Sequence, residues 1–147
     1  MKTPRLFPVL LAGFVVARAA AAEKPYTTWS DYAGSPDSMQ YSALAQVNKT
    51  NVKDLQPAWF YPITGPAQRV VFNPLIVDGV MYVLIDRGIA ALDAATGKEL
   101  WVHTDSGTPS ARGITYWESK DRSDRRLVFT ARGALREVNA KTDFTAR

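Results

Sequence analysis

Short runs of β-branched and aromatic residues, separated by glycine and aspartate, dominate the middle of the chain. The segment FNPLIVDGVMYVLI holds two such runs, Pro74–Val77 and Val80–Ile85, and the Asp78-Gly79 pair between them is a strong two-residue hairpin signal. The runs GIAALDA and KELWVH follow around ATG, where Gly97 can adopt the positive φ that such a turn requires. Because apolar runs this short, bounded by turn residues, do not suit a helix, the pattern predicts a β meander with two antiparallel hairpins.

The meander repeats along the chain. The stretches YVLIDRGIAALDAATG and VFTARGALREVNAKTD align at an offset of 46 residues, which places Ala94 on Ala140. A period of roughly 40 to 50 residues built from short strands is typical of the blades of a β-propeller. The sequence therefore predicts an all-β fold, in which residues 71–147 form about two blades and residues 23–70 form an irregular N-terminal segment leading into them.

The N-terminal segment is rich in glycine, proline, serine, aspartate and asparagine, which favours irregular structure held by buried rings. Asn51 is predicted to cap a short helical turn before Leu55. Large aromatic side chains are more often part of a core than of a cofactor platform. Core positions are therefore expected for Trp29, Trp59, Tyr61, Tyr82 and Trp117.

Residues 1–22 have the features of a secretory signal peptide. A charged start precedes an apolar run, Leu6–Val16, and small residues end at Ala22, where cleavage is expected. A membrane anchor is the alternative, but the apolar run is shorter than the roughly 20 residues that a spanning helix needs. The sequence thus predicts an exported protein.

Charge and cysteine content exclude several functional classes. Removal of Lys2, Arg5 and Arg18 with the signal peptide leaves 15 basic residues against 14 acidic ones, which gives no support for a nucleic-acid partner. The chain has no cysteine, so a disulfide scaffold and a zinc-thiolate site are both excluded. The isolated His103 is predicted to lie at the surface or at a strand end, and Glu118–Arg126 is predicted to form a solvated hairpin loop with local ion pairs.

The turn of the second predicted hairpin carries a recognisable motif. It resembles the tryptophan-docking motif of the quinoprotein dehydrogenases, which are PQQ-dependent, with every position of the pattern present: Ala91, Asp93, Thr96, Gly97 and Trp101. In that family the tryptophan is wedged between neighbouring blades. The resemblance therefore implies that Trp101 locks one blade to the next.

Other stretches are similar to the same family in the same order along the chain: the segment from Trp29 to Trp59, FNPLIVDGVMYV, and RGITYWESKDRSDRRLVF. The family implies an eight-bladed periplasmic propeller that holds pyrroloquinoline quinone (PQQ) and calcium on its axis. Members oxidise alcohols, sugars or polyols by hydride transfer to PQQ and pass electrons to cytochrome c or a membrane quinone. The catalytic aspartate comes from later blades, so the resemblance assigns no catalytic and no metal-binding residue here.

Arg112, which opens RGITYW, matches the position at which the family uses an arginine to bind the anionic cofactor. An arginine that bridges two blade loops is the alternative. The alcohol-oxidising branch has a glutamate where this chain has Val71, and adjacent cysteines shortly before the arginine, where this chain has none. Both departures favour the glucose- and polyol-type branches.

Three interpretations of the whole remain open. The first is the N-terminal fragment of a periplasmic PQQ-dependent dehydrogenase, which is expected to be inactive alone because it lacks the catalytic base and a closed site. The second is a non-catalytic β-propeller scaffold or binding protein of the cell envelope. The third is a small complete β protein that associates through its open strand edges.

Overall fold

The computed structural model describes residues 26–63, 72–86, 88–104 and 109–141. The predicted signal peptide, Val71 and the end of the second repeat from Thr142 lie outside these ranges. Within them, no helix has the length and hydropathy needed to cross a membrane. A short 3-10 helix covers Val52–Asp54. The strands are β1 (Leu75–Val77), β2 (Val80–Ile85), β3 (Gly88–Asp93), β4 (Glu99–Thr104), β5 (Pro109–Glu118), β6 (Arg125–Ala131) and β7 (Ala134–Asn139).

The strands form two antiparallel sheets in chain order. The first sheet is β1-β2-β3-β4 and the second is β5-β6-β7. Strand β7 has the bounds of β3 displaced by 46 residues, which confirms the predicted repeat. The all-β fold made of blade-like meanders is confirmed as well.

Local turn chemistry sets the β1–β2 and β3–β4 hairpins of the first sheet. Asp78 and Gly79 have φ of 51° and 77°, the two positive values that a type I′ turn requires. In the β3–β4 turn, Oδ1 of Asp93 accepts hydrogen bonds from the Thr96 hydroxyl at 2.7 Å, the Thr96 N–H at 2.8 Å and the Ala95 N–H at 3.1 Å. The Thr96 hydrogen bonds hold the pKa of Asp93 below its usual value, and Gly97 closes the turn at φ 71° as predicted.

A shared apolar cluster joins the two sheets. Leu75, Ile89 and Ala91 of the first sheet pack with Leu127 and Phe129 of the second, all of them buried. Burial at this interface supplies most of the favourable free energy that holds the sheets together.

Trp101 lies half-buried against this cluster, with its ring centroid 6.0 Å from that of Tyr82. A register shift in the β3–β4 ladder between Ala91 and Leu92 leaves Trp101 directly opposite Ala91. The position agrees with the one implied by the docking motif, whose locking role remains a prediction.

The N-terminal segment covers the other face of the first sheet. Trp59 and Tyr61 pack against the cluster around Val83. The Trp59 indole N–H donates to the Ala94 carbonyl at 3.2 Å, and its ring lies so close to Gly97 that a Cβ there would be 2.5 Å away. The Tyr61 hydroxyl is 2.7 Å from Glu99, and burial together with this carboxylate raises the pKa of Tyr61 to about 12.

Tyr82 makes the corresponding contact between the two sheets. Its hydroxyl donates to the Ala140 carbonyl at 2.9 Å. Burial raises the pKa of Tyr82 to about 12, so the phenol remains a donor to a higher pH than an exposed tyrosine would. The two acceptors of these aromatic donors, Ala94 and Ala140, are the pair that the repeat aligns.

Three local predictions need correction, in whole or in part. His103 lies at the end of β4, one of its two predicted positions, but not at the surface: it is 8% exposed, because Trp101 faces the core and alternation along β4 puts His103 on the same side, near Phe129. Trp117 is 51% exposed, because its neighbour Tyr116 takes the core-facing side of β5. Asn51 does precede the 3-10 turn, but its side chain makes no capping hydrogen bond.

The β5–β6 hairpin loop is solvated and carries ion pairs, as predicted. Arg122 contacts Asp78 at 2.6 Å and Glu118 at 3.0 Å, and Arg125 contacts Asp78 at 3.0 Å. Burial alone would raise the pKa of Glu118, but hydrogen bonds from Tyr116 and Arg122 outweigh it and hold the pKa below its usual value. Asp78 belongs to the first sheet and its partners to the second, so these ion pairs link the two hairpins.

Replacing Asp78 by asparagine tests this link. Asparagine tolerates the positive φ of the turn but removes the charge that faces Arg122 and Arg125. Because the partners are partly exposed, we expect a loss of about 1 kcal/mol in the free energy of unfolding, which shrinks as salt is added. Urea titrations at low and high salt measure it. Asp121→Asn in the same loop, where the carboxylate accepts from Ser119 and Ser123, is the control, and an equal salt-dependent loss there would contradict the assignment.

Candidate cofactor site

Arg112 lies on an irregular part of β5. The ladder to β6 pairs Pro109 with Ala131 and next Ile114 with Phe129, so a four-residue stretch of β5 opposes only Thr130. Gly113 has φ 93°, a value that glycine adopts without strain. This bulge takes Arg112 out of the ladder, and the residue is exposed.

The N-terminal segment supplies a facing wall. Trp29 pairs with Ile76 through two backbone hydrogen bonds of 2.8 Å each, and so adds one residue at the free edge of β1. The chain then turns back, with the Gly34 N–H donating to the Asp31 carbonyl at 3.0 Å. The Asp31–Pro36 loop is thereby brought next to the bulge of β5.

Between the loop and the bulge lies an open cavity of about 540 Å³, within the range of small-molecule sites. The loop, the start of the first sheet and the bulge all contribute to its lining. The lining residues are Asp31, Tyr32, Ser35, Pro36, Phe72, Asn73, Ala111, Arg112, Gly113, Ile114 and Thr115.

The charges of the cavity suit a planar anion. Among the described residues, no carboxylate lies within ion-pair distance of the Arg112 guanidinium, which offers a fork of N–H donors for carboxylate or carbonyl oxygens. Asn73 and Thr115 add neutral polar groups. The carboxylate of Asp31 accepts from the Ser30 hydroxyl at 2.9 Å and is the one acidic group among the lining residues.

PQQ is a planar ring system that carries carboxylates and carbonyls, so this set of groups fits one side of it. A calcium site is a different matter. The described ranges contain no group of three or more histidine, cysteine, aspartate or glutamate side chains that could hold a metal ion. The described residues therefore fit PQQ, but they do not form a calcium site.

Sequence reasoning located one residue of this cavity and missed its facing wall. The structure places Arg112 in the lining, as expected of a ligand-binding arginine; its role as a PQQ ligand stays a prediction. Asp31 and Tyr32 were not singled out, because about 80 residues separate them from Arg112 and no local pattern marks the contact. The irregular, aromatic-rich composition of the N-terminal segment was the only signal.

A four-stranded and a three-stranded antiparallel meander that repeat along the chain and share a core have the architecture of β-propeller blades, and the cavity beside them holds the arginine described above. A profile of the PQQ glucose/ethanol/alcohol dehydrogenase β-propeller domain matches residues 29–144. The chain therefore belongs to this family of quinoproteins.

Individual relatives agree with this assignment. The chain is 39% identical over 128 residues to the dehydrogenase subunit of an alcohol dehydrogenase (quinone) from Gluconobacter oxydans, covering 78% of this chain and 16% of that protein. It is 33% identical to the quinohemoprotein alcohol dehydrogenase of Comamonas testosteroni, covering 73% and 16%. It is 33% identical to subunit 1 of methanol dehydrogenase [cytochrome c] from Methylobacterium organophilum, covering 85% and 22%.

Two facts follow from these relatives. The chain spans 16% to 22% of the length of the three proteins, so it corresponds to a part of each of them. All three are named as alcohol or methanol dehydrogenases; the Gluconobacter name includes quinone and the Methylobacterium name includes cytochrome c. The leaning toward glucose- and polyol-type branches, drawn from Val71 and the absence of cysteine, remains a prediction.

Proposed function

We propose that the chain forms the first two blades and one wall of the cofactor cavity of a PQQ-dependent dehydrogenase that oxidises alcohols. The observation that carries the proposal is Arg112, held out of the β5 ladder in a cavity suited to an anion, within a chain of the PQQ family. Sugar and polyol substrates are the finer alternatives, which the departures at Val71 and at the cysteine positions favour.

A PQQ bound in this cavity would supply the hydride acceptor for the substrate carbon. The chain's own residues contribute by binding the cofactor and fixing its orientation. The guanidinium of Arg112 would hold a carboxylate or carbonyl edge of the cofactor, because its planar fork of N–H donors suits two parallel hydrogen bonds. Phe72 and Ile114 supply apolar lining that keeps water from that side of the cavity. No described residue is assigned a role in proton transfer.

The cellular setting is part of the proposal. The signal-peptide pattern of residues 1–22 supports export to the periplasm, with calcium bound elsewhere in the whole protein. The names of the relatives support cytochrome c or a membrane quinone as electron acceptor. Nothing in the composition supports a nucleic-acid partner.

Replacing Arg112 tests the proposal directly. In the protein as its host produces it, freed of cofactor by dialysis against a chelator, Arg112→Ala is expected to weaken PQQ binding about thirtyfold, because a charge-assisted bidentate contact is lost. Arg112→Lys keeps the charge but not the planar fork, so an intermediate loss is expected. Titration of intrinsic fluorescence with PQQ in the presence of calcium measures both.

Arg132→Ala is the matched control, since Arg132 is an exposed arginine in the β6–β7 turn and does not line the cavity. It is expected to leave PQQ binding within about twofold of the unchanged protein. If the unchanged protein fails to bind PQQ, the dehydrogenase assignment falls and a non-catalytic scaffold of the cell envelope takes its place. If it binds PQQ but Arg112→Ala binds equally well, Arg112 is not a cofactor ligand.

A further inference from the structure

Tyr32 combines exposure with a fixed backbone. Its side chain is 72% exposed, whereas the next two residues, Ala33 and Gly34, are buried. Tyr32 also lines the cavity, so its exposed ring is accessible to a ligand bound there.

The loop that carries Tyr32 is held by contacts on both sides. The Trp29 ring lies against Gly34, where a Cβ would be 3.3 Å from it, and Gly34 has φ 102°. The Ala33 carbonyl accepts from the Gln40 N–H at 2.9 Å. These contacts fix the backbone around Tyr32 while leaving its ring free to meet a ligand, which is the arrangement of a pre-organised binding residue.

The cavity also has opposite charges on its two walls. Arg112 lies on the bulge of β5, and Asp31, the neighbour of Tyr32, lies on the loop. A ligand that carries several carboxylates is attracted to the first and repelled by the second. Its orientation in the cavity is therefore determined by the pair rather than by the arginine alone.

We propose that the Asp31–Pro36 loop is the second wall of the cofactor site, in which Tyr32 stacks on the ring of the planar anion held by Arg112 and Asp31 orients that anion by repelling its carboxylates. The inference rests on the proposed function and extends it to residues that the family resemblance did not assign. This arrangement of Arg112, Tyr32 and Asp31 makes the cavity selective for planar aromatic compounds that carry their negative charge at one edge.

The role of the ring is tested by equilibrium titration of the cofactor-free protein with PQQ. Tyr32→Ala is expected to weaken binding about tenfold, because the stacking surface is lost. Tyr32→Phe keeps the ring and is expected to bind within about twofold of the unchanged protein. Tyr41→Ala removes another exposed tyrosine, which contacts Tyr26 outside the cavity, and serves as the control.

The role of Asp31 is tested by comparing two ligands. Asp31→Asn is expected to tighten the binding of PQQ about threefold, because one repulsive charge is removed. The same variant is expected to leave the binding of the PQQ trimethyl ester unchanged, since that probe carries no carboxylate. Asparagine can still accept from Ser30, so the loop keeps its hydrogen bond.

The outcomes separate this inference from the proposed function. If the unchanged protein does not bind PQQ, the proposed function fails and the inference fails with it. If the unchanged protein binds PQQ and Arg112→Ala weakens it, but Tyr32→Ala and Asp31→Asn bind as the control does, the proposed function survives and the second wall is wrong. A loss in Tyr41→Ala equal to that in Tyr32→Ala would show a general effect on the segment and would also overturn the inference.

Discussion

Replacing Gly88 by alanine is expected to cost about 4 kcal/mol in the free energy of unfolding, the largest effect of any single change considered for this chain. A Cβ at Gly88 would lie 1.8 Å from the His103 carbonyl oxygen and 3.2 Å from the Thr104 Cα. Both are backbone atoms, so no rotation of a side chain relieves the overlap. Strand β4 must move away from β3, which opens buried hydrogen bonds of the first sheet.

The urea midpoint and the amide exchange of β3 and β4 measure the effect. The repeat offers a control, because Ala134 lies 46 residues after Gly88, at the first position of β7. Ala134 already carries a Cβ and is exposed, and Ala134→Gly is expected to cost about 1 kcal/mol or less. A midpoint for Gly88→Ala close to that of the unchanged protein would show that the two strands are not packed as described.

Gly97→Ala is expected to cost about 3 kcal/mol, the second largest effect. About 1 kcal/mol arises from placing a Cβ at φ 71°, and the rest from moving the Trp59 ring, which lies where the Cβ would be. The indole then loses its hydrogen bond to Ala94, so the N-terminal segment is expected to loosen from the first sheet.

Gly133→Ala separates the two contributions. Gly133 has φ 72°, nearly the value at Gly97, and a Cβ there would meet no atom within 4 Å. Its replacement is expected to cost only the conformational part, about 1 kcal/mol. In a Trp59→Ala background the additional cost of Gly97→Ala should fall to the same value, as a double-mutant cycle would show. Equal costs for Gly97→Ala and Gly133→Ala would contradict the contact.

The hairpins could be predicted from sequence because their turns depend on nearby residues. Asp78 and Gly79 take positive φ by their own chemistry, and Asp93 binds the turn that follows it. His103 could have been placed correctly by counting alternate positions from Trp101. The exposure of Trp117 could not have been predicted from the sequence. Either Tyr116 or Trp117 could have faced the core, and packing between the sheets decides which of them does.

In the cavity, too, the part that depends on neighbouring residues could be predicted and the part that depends on residues distant in sequence could not. A resemblance to one family motif was enough to select Arg112, because the RGITYW stretch is continuous in the chain. The facing wall depends on the pairing of Trp29 with Ile76, a contact between residues 47 positions apart. Only the folded chain brings Asp31 and Tyr32 next to Arg112, so no pattern along the sequence contains that site.

The N-terminal segment, the first sheet and the second sheet are three layers that follow one another along the chain. The aromatic contacts at Ala94 and Ala140 each join one layer to the next. Trp59 of the N-terminal segment donates to the turn of the first sheet, and Tyr82 of the first sheet donates to the end of the second. In both cases the donor belongs to the earlier layer and the acceptor to the later one. Each contact thus joins a layer to the one that follows it in the chain, in the same head-to-tail sense that a heterologous interface has between subunits.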